Sequence, residues 1–188
     1  MRWLLLVLAF AGQAALAADV AGVRFADSAE IAPGQALSLN GAGLRKRAFF
    51  DVYAMGLYVA QRKTAAAEVI ALPGAKRVAI HMLRDVGADQ FSGALVDGMK
   101  ENHSEVEYKA LEGRVQQLVA IMAQVKEAKK GMQMALDWVP AAGTRISIDG
   151  KAVGTPIAGE DFYRALLRIW LGENPVSADL KKALLGGG

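Results

Sequence analysis

Phe49 to Val59 reads FFDVYAMGLYV, an eleven-residue run dense in aromatic and branched side chains. Residues of this kind favour a pleated backbone, and the length suits one long strand. Period two divides the run into Asp51, Tyr53, Met55, Leu57 and Val59 on one side and Phe50, Val52, Ala54, Gly56 and Tyr58 on the other. Both sides are largely apolar, so a fold built round this strand must cover both faces of its sheet.

Other segments supply partners for it. Gly22 to Ile31 and Ala36 to Leu39 alternate apolar and polar residues and are separated by Pro33-Gly34, the pattern of two strands joined by a tight turn. Arg77 to Leu83 is a further strand. Met132 to Trp138 alternates again, Pro140 and Gly143 interrupt it, and Arg145 to Ile148 resumes before the hairpin signal Asp149-Gly150. Between these, Phe91, Leu95, Gly98, Asn102 and Val106 follow one helical stripe, and Val115, Leu118, Val119, Met122 and Val125 follow a second. Near the C-terminus, Phe162, Ala165, Leu166, Ile169 and Trp170 share one helix face. Ser177 then N-caps a last helix over Ala178 to Leu185. Strands on both sides of a helical middle, with a helical end, predict an α+β fold with helices packed on a mainly antiparallel sheet.

The start of the chain reads as an export signal. Met1-Arg2 supplies the positive end, Trp3 to Ala11 the apolar run, and Ala15-Leu16-Ala17 a small-residue cleavage site. The apolar run is shorter than the roughly 20 residues a bilayer span needs. Residues 1–17 are therefore expected to be removed, leaving 18–188 as a single exported, periplasmic domain with no transmembrane anchor. A hydrophobic content of 53% excludes a disordered chain, and the absence of cysteine excludes a disulfide scaffold.

Charge and motifs narrow the function. A net charge of +3, with only short basic clusters at Arg45 to Arg47 and Lys129 to Lys130, argues against nucleic acid as a partner. His81 and His103 alone cannot build a zinc site, and no metal or cofactor is expected. Gly41-Ala42-Gly43 opens like a dinucleotide loop, but Lys46 stands where the last glycine belongs, so close backbone packing is the better reading. No G-x-S-x-G elbow occurs. Asp51, on the side of Tyr53, needs a cation if buried, and Arg45 and Arg47 are the nearby candidates.

Two blocks together resemble the chalcone isomerase family: LNGAGLRKRAFFDVYAMGLYVA from Leu39 to Ala60, and FYRALLRIWLGENPVSADLKKALLG from Phe162 to Gly186. The first resembles the family's Gly-Ala-Gly-x-Arg segment and its strand ending in Gly-x-Tyr. The second resembles its helix, glycine turn and Asp-Leu-Lys helix. Asp89 to Asn102 resembles the helix that follows the family's central strands. The exported setting resembles the bacterial branch rather than the plant enzymes. The resemblance implies an open-faced β-sandwich, a large antiparallel sheet carrying a helical layer, with a ligand cleft between the two.

In the plant enzymes a phenolate adds to an enone of the same molecule without a cofactor. The resemblance places the family's arginine on Arg45. Its strand threonine falls on Tyr53 and its helix tyrosine on Phe91. The family's asparagine falls on Gly98, or on Asn102 in another helix register, and its late threonine falls on Ile169, beside Trp170. Losing one well-placed donor commonly costs about a hundred- to a thousandfold in rate, so several losses argue against efficient isomerisation.

What the resemblance leaves is a cation beside an apolar cleft, suited to a small amphipathic anion such as a fatty acid or aromatic acid. Arg45 would hold the anion, Tyr53 would offer a hydroxyl, and Phe91, Ile169 and Trp170 would line the apolar part. The enzyme alternative is a chalcone isomerase-type intramolecular lyase in which Arg45 and Tyr53 are catalytic. Against both stands ordinary packing, with Arg45 paired to Asp51 and the apolar residues in the core.

Overall fold

The computed structural model describes residues 17–187. Met1 to Leu16, which carry the expected export signal, lie outside the described residues. A small hairpin of β1 (Ala18–Val20) and β2 (Val23–Phe25) comes first, followed by β3 (Ser28–Glu30), β4 (Ala36–Arg47) and β5 (Phe50–Val59). A short helix α1 (Ala66–Ala71) leads to β6 (Lys76–Met82) and the two-residue β7 (Val86–Gly87). Helices α2 (Ala88–Glu101) and α3 (Glu105–Met122) precede β8 (Glu127–Ala128), β9 (Gln133–Val139), β10 (Gly143–Ile148) and β11 (Lys151–Ala152). The chain closes with α4 (Glu160–Leu171) and α5 (Ala178–Leu184).

Seven strands form one sheet in the order β11-β10-β9-β6-β5-β4-β3, every neighbouring pair antiparallel. From Tyr53 to Val59 the two sides of β5 divide as period two requires, whereas Val52, expected on the side of Ala54, packs against the larger core. Tyr53, Met55, Leu57 and Val59 enter the larger core with Val78, Ile80, Met134 and Leu136 and the helices. Ala54 and Tyr58 enter a smaller core on the opposite face, under Phe25, Leu37 and Leu39. The helical layer covers one face and the N-terminal segment part of the other, which is the expected α+β open-faced arrangement.

Helix α4 holds the layer together. Its stripe of Phe162, Ala165, Leu166, Ile169 and Trp170 is buried, but so are Tyr163, Leu167 and Leu171. The wider burial arises because α1, which carries no strong sequence signal, packs on α4 together with α2 and α5. The Tyr163 hydroxyl donates to the Leu136 carbonyl at 2.8 Å, satisfying a polar group that burial would otherwise penalise and fastening α4 to β9.

Two local expectations change. Strand β4 runs on past its expected end at Leu39 to Arg47, and Gly41-Ala42-Gly43 lies inside it in the close backbone packing expected of these glycines. A Cβ on Gly43 would sit 2.7 Å from Ala183 Cβ, and one on Gly41 would strike the backbone of Ala183 and Leu184. These glycines let α5 lie directly on β4. The stripe drawn from Phe91 to Val106 is also broken. Asn102 C-caps α2, Ser104 opens α3 with a capping box to Glu107, and Val106 is 81% exposed on the new helix.

Candidate functional site

Arg45 and Tyr53 face each other across the β4–β5 pair. One residue further on, the register shifts and Lys46 stands opposite Asp51, leaving Val52 as the extra residue of a bulge. This decides the ion pairing. Asp51 lies 3.7 Å from Lys46, with both side chains exposed, and pairs neither with Arg47, which a regular ladder would set opposite it, nor with Arg45. Arg45 is half-buried, donates to the Lys46 carbonyl, and makes no carboxylate pair among the described residues.

The Tyr53 ring is 8% exposed. Its hydroxyl oxygen accepts the Trp170 Nε1–H at 3.0 Å, linking β5 to α4. Burial pushes the phenol's pKa up, opposed by the Trp170 bond and then by the positive charge of Arg45. Tyr53 therefore stays neutral near pH 7 and keeps its proton. Three of the residues singled out from the sequence, Arg45, Tyr53 and Trp170, thus meet at one place where sheet and helices join.

Phe91, Ile169 and Trp170 are all buried in the larger core. A Cβ on Gly98 would lie 2.9 Å from Ile169 Cγ2, so Ile169 occupies the space that the missing side chain leaves. Asn102, the other position onto which the family's asparagine could fall, is spent on structure. Its Nδ2 donates to the carbonyls of Gly98 at 2.9 Å and Asn174 at 2.8 Å, and its Oδ1 accepts the Asn174 N–H at 3.0 Å. Phe91, Gly98 and Ile169 bring no side-chain hydrogen-bond donor to this region.

Two cavities lie elsewhere. One of about 560 Å³ opens between α1, the ends of α2 and α4, and α5, with Ile70, Asn102, His103, Arg168, Leu171 and Lys181 in its wall. The other, of about 250 Å³, lies on the opposite sheet face and includes Phe25, Tyr58, Arg77, Ala79 and His81. None of Arg45, Tyr53, Phe91, Ile169 or Trp170 lines either one. Neither cavity is legible in the sequence, because the walls come from several distant segments and share no local pattern. His81 stands edge-on to Phe25, 5.1 Å between ring centres, and burial lowers its pKa. Among the described residues no three His, Cys, Asp or Glu side chains group to hold a metal ion, and no helix is long and apolar enough to cross a membrane.

A family model described as chalcone isomerase-like matches residues 17–186. Among solved structures the chain is similar to a fatty-acid binding protein of Arabidopsis thaliana, with 16% sequence identity and a TM-score of 0.66. That match covers 87% of this chain and 92% of the plant protein's, and at such identity it speaks for the fold alone. No curated protein sequence matches. The glycine-backed β4, the long β5 and the α4–α5 end all fall within the matched residues, and the chain belongs to the chalcone isomerase-like family.

Proposed function

We propose that this chain is an exported, non-catalytic chalcone isomerase-like protein that binds a small amphipathic anion, such as a fatty acid or aromatic acid, with Arg45 as the partner of the anionic head. The carrying observation is that Arg45 is a half-buried cation with no carboxylate partner among the described residues. It faces Tyr53, whose hydroxyl retains its proton. A guanidinium so placed can grip a carboxylate through two hydrogen bonds, and the phenol can add a third.

Phe91, Ile169 and Trp170 offer the apolar surroundings for the ligand's body, which must part their packing to enter. The similar plant structure, named for fatty-acid binding, supports the ligand class, and the Met1 to Ala17 pattern supports export. The lack of side-chain donors at Phe91, Gly98 and Ile169 weighs against turnover.

Native mass spectrometry of the protein as processed by its host, with bound molecules extracted and identified, tests this reading. Wild type is expected to carry an acid that Arg45→Ala lacks; an empty wild type, or equal loading of the variant, overturns it. The adjacency of Arg45 and Tyr53 keeps one rival in play, an intramolecular lyase acting on an unsaturated phenol. That rival requires stereoselective closure of a chalcone faster than in buffer, with the rate lost in Arg45→Ala.

A further inference from the structure

The β4–β5 connection is a two-residue turn, Ala48-Phe49, with Arg47 paired to Phe50 across it. Such turns normally carry Gly, Asn or Asp, because at least one central residue needs positive φ. Here Ala48 takes φ 53°, a conformation its Cβ disfavours, and the next residue is a phenylalanine 99% exposed. Phe50 is 58% exposed, with the Arg84 guanidinium 4.5 Å from its ring centre. Two aromatic rings thus project at a hairpin tip where small polar residues are usual.

The surroundings are cationic. The Leu83 N–H donates to the Val52 carbonyl at 3.0 Å and the Gly131 N–H to the Met82 carbonyl at 2.8 Å, so the loops after β6 and before β9 meet at the tip's end of the sheet. Lys46, Arg47, Arg84, Lys129 and Lys130 are exposed there, and Arg45 is half-exposed. The carboxylates at this end, Asp51, Asp85, Glu127 and, at the β10–β11 turn, Asp149, are outnumbered. Asp51 pairs with Lys46, and Asp85 accepts the Lys130 backbone N–H at 2.7 Å. The chain as a whole carries only +3, so this end holds a local excess.

We propose that this end of the sheet docks on an anionic phospholipid bilayer, with Phe49 and Phe50 entering the boundary between headgroups and acyl chains and the surrounding Lys and Arg pairing with phosphates. Rings at that depth leave water without a preformed pocket. A rigid protein partner would need a socket shaped for each ring, whereas lipid deforms round a protruding tip. Long Lys and Arg side chains reach back to the headgroups as the rings enter, and each cation near an anionic surface contributes about fivefold to partitioning. The bulge at Val52 places Tyr53 and Arg45 just behind the tip, but the docking does not depend on what Arg45 binds.

The test is co-sedimentation of the full chain, as processed by its host and stripped of lipid, with vesicles of phosphatidylcholine with or without phosphatidylglycerol. Wild type is expected to sediment with the phosphatidylglycerol vesicles and to be released by high salt, which screens the phosphates. Phe49→Ser with Phe50→Ser should weaken binding by about tenfold or more, and Lys46→Glu with Arg47→Glu should abolish it. Both double variants keep Arg45, and their urea unfolding midpoints should stay near that of wild type. Failure of wild type to bind, equal binding to the uncharged vesicles, or unchanged binding by the serine variant overturns the proposal. Equal capture of wild type and serine variant by a soluble polyglutamate column, with neither on vesicles, would assign the surface to an acidic polypeptide and overturn it too.

Discussion

Trp170 donates its indole N–H to the hydroxyl oxygen of Tyr53 at 3.0 Å, joining α4 to β5 between residues that are both buried. The bond satisfies the one polar atom of Trp170, and it orients the phenol beside Arg45.

Removing the phenol oxygen strands the indole N–H. Tyr53→Phe is expected to lower stability by about 1–3 kcal/mol, the cost of an unsatisfied buried donor. Adding Trp170→Phe to that variant should cost less than Trp170→Phe alone costs in wild type, because no N–H is left to satisfy. Urea unfolding of the four proteins as a double-mutant cycle reads this coupling. Additive losses would mean that the bond contributes nothing beyond packing.

Gly98 and Ile169 should also be coupled. Alanine at 98 gains about 1 kcal/mol of helix propensity over glycine, but its Cβ meets the stiff, branched Ile169 at 2.9 Å. Overpacking of this kind costs about 1–3 kcal/mol, so Gly98→Ala in wild type is expected to be neutral to destabilising. In an Ile169→Ala background the obstruction is gone, and the same substitution should stabilise. Unfolding free energies in both backgrounds check the change of sign, and the same sign in both would refute close packing between the two residues.

His81 makes stability depend on mild acid. Burial against Phe25 lowers its folded pKa below that of the unfolded chain, so the unfolded state binds the proton first. Its contribution is therefore complete above the unfolded value of about 6.5 and is lost as pH falls from there through the folded value. Arg24 and Arg77, in the wall of the same cavity, add no compensating negative charge. The unfolding midpoint of wild type should fall across this range more than that of His81→Gln. Parallel pH profiles for the two proteins would contradict this assignment.

Much of the architecture is legible in the sequence because it rests on periodicity. The two faces of β5 from Tyr53 onward, the hairpin at Asp149-Gly150, the stripe on α4 and the Ser177 cap all follow from local side-chain chemistry, and they appear at those positions. The end of α2 was legible too, in the Ser104 to Glu107 capping box, but the apolar spacing that continues to Val106 obscured it. Helix α1 left little trace, since its six residues are stabilised by what they cover on α4 rather than by their own pattern.

The candidate site divides along the same line. From sequence alone, Arg45, Tyr53, Phe91, Ile169 and Trp170 could be chosen as a set, and the chain's family could be recognised from the segments that hold them. Tertiary structure alone decided that Lys46, rather than Arg45 or Arg47, pairs with Asp51, because a bulge moves the register by one residue and brings Lys46 opposite Asp51 in place of Arg47. It also decided that Ile169 fills the space beside Gly98 and that Trp170 bonds to Tyr53. The physical reason is that periodicity states which way a side chain points, whereas packing against it or leaving room for a ligand depends on the distance between elements. An apolar core and an apolar pocket have the same sequence pattern, and only the approach of α4 to α2 and the sheet tells them apart.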